Sequence, residues 1–595
     1  MSNDYILSIN PCTHGLNYHD PAAAIVLDGQ VIFAIEEERI NGIKGSKGIF
    51  PSNAIRTCME YCKITEDDLQ CIAVGYDIDL WNNRFCLETK FIVDQFDDLT
   101  DKDSQIFEKM LESNLFDRFN FFTHKEKVDS YILEKCGFKK NVEVKYFSHH
   151  LSHIASSYEY SGFNKSVGIV VDGIGETATT SIWKIDNHKY EKIEEYTYPN
   201  SLGYFYSIAT EFLGFAPWCH EGKTMALAPY GKENKKIEDS LNKIFSFKNN
   251  ICDVGDFIYE NGKSFLMIDN QKALNSLQST LGFKPRTTES PLDANYADFA
   301  YHIQKTLETS VTNLINHAIQ ITGYDNVCVA GGIFMNCKMN MILRENSNAK
   351  EFFVQPLAGD LGLVLGSGAL ASLNKNYKKM NSLYFGPSYS DDQVLRELDV
   401  NNLNYKKSVN ISRDVAKILT EGKIVCWFQG RMEMGARALG NRSIIADPRK
   451  KETANRVNSQ IKHRELWRPF ACSVMQEYCS KIFEKYNPHN IYPFMIEAFK
   501  VKPNWIDKIP AVIHEADFTS RPQTVCKDIN PRYYEMISCF NELTGCPLVL
   551  NTSFNDKGQP IVMDPHSAIE FFLKNNVDCL AIGNYLVLKE EQLTK

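Results

Sequence analysis

No stretch of the chain approaches the roughly 20 consecutive apolar residues that a membrane span needs. The most apolar segment, "LGLVLGSGALASL", is interrupted by glycines and follows Asp360. A membrane partner is therefore not expected. The opening "MSNDYILSINPC" has neither the basic region nor the apolar core of a secretion signal, so a cytoplasmic location is expected. There is no C-x-x-C pair among the 17 cysteines, and the closest spacing is Cys58 to Cys62. That excludes paired-cysteine zinc fingers and, without a secretion signal, argues against a disulfide framework. An overall excess of positive charge is also missing. The net charge is −9, which disfavours nucleic acid as the main partner. Low-complexity segments are absent.

What remains is a globular composition, 44% hydrophobic and 23% charged, over 595 residues. That length predicts two or three domains. Residues 5–36 read as a strand, a loop carrying His19 and Asp20, and two strands around the Asp28-Gly29 turn. Residues 167–196 repeat the plan, with an apolar strand ending at Asp172, a Gly-rich turn, and two strands flanking "DNH". One motif used twice predicts two related α/β lobes. The apolar spacing predicts a helix over 294–322, followed by the strand "VCVAGG". A polar stretch, 376–390, is the expected linker between a domain spanning 1–375 and a second α/β domain spanning 391–595. Strands there are expected at "KIVCWF", "RPFACSVM", "YPFMIEAF", "CPLVLNTS" and "CLAIGNYLVL".

Chemistry concentrates in a few places. In "FSHHLSHIASSYEYSG", His149 and His153 stand four apart and share a helical face. The glutamate of an H-E-x-x-H metalloprotease is replaced by His150, so peptide hydrolysis of that kind is not supported. An isolated H-x-x-x-H is more often ordinary packing. Asp172 and Asp360, each at the end of a predicted strand, complete a mixed N/O set suited to Fe(II), Zn or Mn. The glycine turns "DGIGETATT" and "AGGIFMN" can cradle phosphates. Lys44 and Lys223 can neutralise them. Residues 423–468 hold 11 Lys and Arg but only 4 Asp and Glu, interleaved with Trp467, Pro469 and Phe470. That pattern favours an anion pocket with Arg forks, with RNA backbone binding as the rival. Asn551, Ser553 and Asn555 in "LNTSFNDKGQP" add polar groups suited to a phosphate or an amide.

Taken in order, "YHDPAAAIVLDG", "EEERI", "HHLSHIASSYEYSG", "VVDGIGE", "GKTMALAPYG", "VAGGIFMN", "GRMEMGARALGNRS", "RELWRPFACSV", "SRPQTV" and "LNTSFNDKGQPIV" resemble the ATP-dependent O-carbamoyltransferases of the NodU/CmcH type, nearly end to end. The resemblance implies a duplicated N-terminal domain of the actin/hexokinase/Hsp70 kind (TsaD-like) and a YrdC-like α/β C-terminal domain. It implies carbamoyl phosphate and ATP as substrates. The second domain would form carbamoyl adenylate, and the first would pass the carbamoyl group to a small hydroxylated acceptor, as in antibiotic biosynthesis. His149, His153, Asp172 and Asp360 would hold a metal, Fe(II) being expected, with another divalent ion allowed and Mg with the nucleotide. His19 would be general base, with Asp20 orienting it. Lys44, Gly173, Gly175, Gly331 and Gly332 would line the nucleotide. Arg437, Lys462, Arg468, Arg521 and Ser553 would bind carbamoyl phosphate. A homodimer is compatible with the resemblance. The alternatives are a tRNA threonylcarbamoylation enzyme of related fold and a non-catalytic ATP-binding sensor. The acceptor-choosing loops are expected at 76–140.

Overall fold

The structure, a computed structural model, describes residues 5–11, 19–81, 124–248, 251–261, 270–288, 290–465 and 467–592. Most of the 76–140 region expected to choose the acceptor, residues 82–123, lies outside the described residues. The chain divides into two compact units, 1–31 with 48–379, and 32–47 with 380–595. Among the described residues, no helix is long and apolar enough to cross a membrane.

The N-terminal part of the chain is built on two five-stranded sheets of the same plan, and of the edge strand Gln30–Glu36 only residues 30–31 are counted in the first unit. Strands β1 (Tyr5–Asn10), β2 (Ala22–Leu27), β3 (Gln30–Glu36), β4 (Leu69–Val74) and β5 (Val144–Tyr146) lie in the order β3-β2-β1-β4-β5. Strands β6 (Lys165–Val171), β7 (Ala178–Asp186) and β8 (Lys189–Thr197) form the second sheet with β11 (Asn326–Ala330) and β12 (Glu351–Val354), in the order β12-β11-β6-β7-β8. A ribbon of β9 (Ser246–Lys248) and β10 (Ile251–Asp253) stands apart. In both sheets the leading strand pairs antiparallel with the next strand in sequence and parallel with a later one. β1 pairs with β2 and β4, and β6 with β7 and β11. Both hairpins close through two residues at positive φ, Asp28-Gly29 and Asn187-His188, as the primed turns of right-twisted strands require. This repeated sheet is the duplicated core of the actin/hexokinase/Hsp70 fold class. It places the ends of β1 and β6, and hence Asp172, at equivalent positions in the two halves.

The predicted helix runs Ala294–Thr322. Asp293 caps it by accepting from Asn295 and Tyr296 N–H, and Gly323 ends it at φ 72°.

The second unit carries an eight-stranded mixed sheet with helices packed on it. Its strands include Val425–Phe428, Arg442–Ala446, Ala471–Met475, Leu548–Ser553, Cys579–Ile582 and Tyr585–Leu588. Trp427, Tyr533 and Phe540 are fully buried in its core. "YPFMIEAF" is not the expected strand: only Phe499–Lys500 pairs. Pro493 has no N–H to give a ladder, and Met495 sits at φ 55°. The segment buries Phe494, Met495 and Ile496 as a folded loop instead. Residues 32–47, counted with the first domain in the sequence reading, hydrogen-bond within the second unit. Gly435 N–H donates to Glu36 Oε1 at 2.7 Å, and Arg39 Nη2 donates to Gly435 O at 2.6 Å.

Candidate functional site

The helix His149–Tyr158 begins directly after β5, and no side chain of Ser148 caps it. Glu176, from the "DGIGE" turn, does so instead. Its Oε1 accepts the His149 N–H at 2.8 Å and the Asp77 N–H at 2.9 Å. A carboxylate at a helix N-terminus is favourable because the orphan N–H groups and the helix dipole point at it. Burial raises the Glu176 carboxyl above its ordinary value, opposed by His149 and these N–H groups. Glu176→Ala would strand the buried His149 N–H and the half-buried Asp77 N–H. It is expected to cost about 1–3 kcal/mol of stability and to weaken metal binding by roughly 10- to 100-fold through the displaced helix end. Glu176→Gln, which keeps the acceptor, should retain most of both. Thermal melting and a metal titration check this.

One turn apart, the His149 and His153 Nε2 atoms meet at 3.0 Å. Asp172, at the end of β6, places Oδ2 3.1 Å from His149 Nε2 and 3.8 Å from His153 Nε2. Asp360, after β12, places Oδ1 at 3.7 and 3.5 Å from the same two nitrogens. Asp360 reaches this point because the following helix, Leu363–Ala371, packs backbone to backbone on the histidine helix. A Cβ on Gly366 would collide with the Ser152 carbonyl. All four side chains are buried, and one donor atom from each lies within 4.8 Å of the others. The Nδ1 atoms of both histidines are buried with no partner among the described residues, so the Nε2 atoms are the inward donors. Although burial works against it, the two histidines hold Asp172 well below the usual carboxylate range and Asp360 down to about 2. Two inward imidazole nitrogens and two ionised carboxylates fit a first-row divalent cation. His150 faces elsewhere, with Nδ1 2.8 Å from Ser181 Oγ, and burial lowers its basicity.

His19 borders the cluster. Its Nδ1 is 3.0 Å from Asp20 Oδ2, and its Nε2 is 3.9 Å from Asp360 Oδ2. Asp20 thus fixes the ring so that Nε2 faces the aspartates. Burial pulls the imidazole down, but Asp20, Asp360 and Asp172 together bring it up to about 9. The loop is pinned by Asn10, whose Nδ2 donates to the Asp20 carbonyl at 2.8 Å.

The glycines named from the sequence serve this cluster directly. Gly332 N–H donates to Asp172 Oδ1 at 2.8 Å. A Cβ on Gly175 would stand 3.0 Å from the His149 ring. Gly331, at φ 102°, lets the strand β11 turn close against Val171. Gly173 lies under the Trp218 indole. Lys44 belongs to the second unit, where its Nζ is 3.0 Å from Glu38 Oε1.

Two contributors escaped the sequence reading. Tyr76 donates from its hydroxyl to Asp360 Oδ2 at 3.2 Å, and its ring lies 5.0 Å from that of His149. Glu176 is the other. It was visible only as the last letter of a glycine motif.

The carbamoyltransferase N-terminus family model matches residues 12–369, and the carbamoyltransferase C-terminus model matches residues 416–589. The chain belongs to the carbamoyltransferase family. It is 31% identical to "Nodulation protein NolNO" of Sinorhizobium fredii over 580 residues, 96% of this chain and 79% of that protein. It is 32% identical to "Uncharacterized protein sll1178" of Synechocystis sp., covering 97% and 96% of the two chains. It is 26% identical to "Nodulation protein U" of Sinorhizobium fredii, covering 94% and 96%.

In the second unit of this carbamoyltransferase, the basic run sorts into two groups. Arg431, Arg442, Arg449 and Arg456 are structural. Arg442 is buried, stacks 3.7 Å over Phe428, and donates to the Gln429 carbonyl at 2.6 Å. Arg456 grips Asp578 through two bonds of 2.8 and 2.7 Å. Arg449 pairs with Asp447, and Arg431 donates to the Gly386 and Phe385 carbonyls. The other group is a cluster of like charge. Burial first, and then Arg468 and Arg521, bring Arg464 down to about 9. Burial and Arg521 likewise lower Arg468, against the pull of Glu465. Arg464 also stacks 4.2 Å over Phe470. Guanidinium groups that repel one another in this way favour an anion beside them. Arg464 was counted in the basic run but not singled out.

Lys462 ends a short π-helical turn, Asn458–Lys462. Its Nζ donates to Ser553 O at 2.5 Å and to Asn555 O and Oδ1 at 2.8 and 2.7 Å. It therefore clamps the "NTSFN" loop. Arg437 is half-buried in the same unit. Burial, with Arg464 and Arg468, brings Lys462 down to about 7. Below that pH it is charged, and an anion nearby is favoured. As pH rises through 7 the charge is lost and anion affinity falls. The folded protein itself gains stability over the same rise, because the unfolded lysine keeps its proton to about 10.5. Sulfate, whose charge is fixed across this range, is the appropriate probe. Its affinity by calorimetry should drop between pH 6 and 8.5 in the wild type, and Lys462→Met should flatten that dependence.

Proposed function

We propose that this carbamoyltransferase activates a carbamoyl group as carbamoyl adenylate and transfers it to a hydroxyl of a small molecule. The observation that carries the reading is the pairing of a buried His/Asp cluster in one unit with an arginine anion cluster in the other. In the second unit, read as YrdC-like, Arg437, Arg464, Arg468 and Arg521 would hold carbamoyl phosphate and the nucleotide phosphates. Water cleaves carbamoyl phosphate to carbamate and phosphate. The carbamate oxygen then attacks the α-phosphorus of ATP, the bond to the β-phosphate oxygen breaks, and pyrophosphate leaves. In the first unit the acceptor hydroxyl attacks the carbamoyl carbon. The bond from that carbon to the AMP oxygen breaks, and AMP departs.

His19 is placed for the proton of that hydroxyl. With Nδ1 held by Asp20, its Nε2 faces Asp360 and would take that proton when the imidazole is neutral. His149, His153, Asp172 and Asp360 would hold the divalent ion, Fe(II) being the expected one. When bound, such an ion supplies Lewis-acid polarisation and positive charge. Tyr76 and Gly332 keep the two aspartates aimed. The glycine turns around Asp172 would line the nucleotide.

Incubation with carbamoyl phosphate, ATP and Fe(II), without acceptor, should give a carbamoyl-AMP species by mass spectrometry. Its absence, with pyrophosphate also undetected, would count decisively against the adenylate route.

A further inference from the structure

In the second unit, residues 432–442 are buried except at two positions, the exposed Ala436 and the half-buried Arg437. Side chains, not a strand ladder, hold the backbone on both sides of that tip. Glu433 has no solvent exposure, and its Oε1 turns back on the loop to accept the N–H groups of Leu439 at 2.6 Å, Asn441 at 3.3 Å and Arg442 at 3.1 Å. Ser443 Oγ accepts the Gly440 N–H at 3.1 Å. The carbonyls are matched as fully. Asn551 Nδ2 donates to Ala438 O at 3.1 Å, and Trp427 Nε1 donates to Gly440 O at 2.9 Å. The Tyr384 hydroxyl and Gln523 Nε2 both donate to Leu439 O, at 2.7 and 2.6 Å. Before the tip, Glu36 and Arg39 hold Gly435 through its N–H and its carbonyl.

A buried carboxylate is unfavourable unless donors meet it, and apolar side chains could have filled the same volume. What a satisfied buried polar network supplies is a single rigid conformation. The groups of this network are spent within it. Asn551 Nδ2 also reaches Ser473 Oγ at 2.9 Å and Gln523 Oε1 at 3.3 Å, so it braces the loop and is not the ligand group that its motif suggested. The cavity behind the loop, between Tyr384, Leu439, Gln523 and Asn530, measures about 10 Å³, room for no more than one water. The network is closed behind the loop, and what it leaves at the surface is the Ala436-Arg437 tip.

We infer that Glu433 and Tyr384 are positioning residues, which fix this loop so that Arg437 meets its anion preorganised. The inference rests on the role proposed above for Arg437 in holding carbamoyl phosphate. Immobilising an arginine on binding costs side-chain entropy, and a mobile loop beneath it would add backbone entropy to that cost. With residues 438–442 already fastened, the backbone loses no freedom when the anion arrives.

The test is a double-mutant cycle read by calorimetric titration of carbamoyl phosphate into the full-length protein. Arg437→Ala should weaken binding about tenfold or more, as loss of a charged hydrogen bond does. Tyr384→Phe deletes one hydroxyl, keeps the ring, and should weaken binding by about two- to tenfold. Glu433→Leu should weaken it further, while Glu433→Gln, which keeps the acceptor, should restore it. In an Arg437→Ala background neither Tyr384→Phe nor Glu433→Leu should cost any more affinity, because residues that act through Arg437 are not additive with its loss. Melting temperatures check folding, and Tyr384→Phe carries the cycle if Glu433→Leu does not fold. Wild-type affinity in Tyr384→Phe, or the same loss with and without Arg437, overturns the inference and leaves these residues a purely structural role. Wild-type affinity in Arg437→Ala overturns it together with the proposed role of Arg437. A wild type that binds carbamoyl phosphate but forms no carbamoyl-AMP would defeat the adenylate route alone, and the cycle would still decide the positioning.

Discussion

Replacing His153 with Ala is expected to leave a protein that still forms carbamoyl adenylate but scarcely transfers it. His153 Nε2 is one of four donor atoms within 4.8 Å, and its side chain is fully buried. Loss of partners in a metal's outer shell already costs 10- to 100-fold in affinity. Loss of a direct ligand should cost no less, so Fe(II) binding is expected to weaken by at least about a hundredfold. Transfer should fall with it, because Asp172 and Asp360 would then face each other with one counter-charge fewer. Adenylate formation should survive, since the arginine cluster lies in the other unit. His153→Gln, which better preserves volume, separates metal loss from a packing defect. Two measurements decide: bound iron per chain, and the ratio of carbamoyl-AMP formed to carbamoyl group transferred. Undiminished transfer by a metal-free His153→Ala protein would remove the cluster from the reaction.

The sequence made the duplicated sheets legible because their signals are local. Asp28-Gly29 and the "DNH" turn mark hairpins by residue type alone, and alternating apolar residues mark the strands on either side. The His149/His153 pair was legible for the same reason, since helical spacing is local. That pair became a four-residue site only once Asp172 and Asp360, 23 and 211 residues from His149, were read with it. What stayed hidden depends on long-range packing. Glu176 caps the histidine helix from a different turn, and Tyr76 reaches Asp360 across 284 residues. No spacing rule reports such contacts. Charge counting found the basic run but could not divide it. Arg442 and Arg456 are committed to backbone carbonyls and Asp578, while Arg464 stands among like charges. "YPFMIEAF" misled because apolarity alone does not separate a buried loop from a strand, and Pro493 is the residue in it that speaks against a strand.

Arg468→Ala should move stability and function in opposite directions. In the free protein Arg468 lies among like charges, and its only ion pair among the described residues is a 3.6 Å approach to Glu465. Arg464 is repelled by it, and Arg521 repels it in turn. Removing it relieves that repulsion, so the melting temperature in anion-free buffer should hold or rise. Anion binding should suffer. A hydrogen bond to a charged group contributes about 1.5–3 kcal/mol, which is roughly a 10- to 150-fold change in affinity. Because ligand that binds only the folded state stabilises it by mass action, the two effects appear in one experiment. Wild-type melting temperature should climb with sulfate or carbamoyl phosphate, and the Arg468→Ala curve should start no lower and stay nearly flat. Carbamoyl-AMP formation should fall by a similar factor while bound iron is unchanged. A variant that melts lower yet keeps its response to sulfate would show Arg468 to be a structural residue like Arg442, and the anion site would have to be sought elsewhere in the unit. Sites that hold charge against itself in the absence of ligand trade stability for binding in this way.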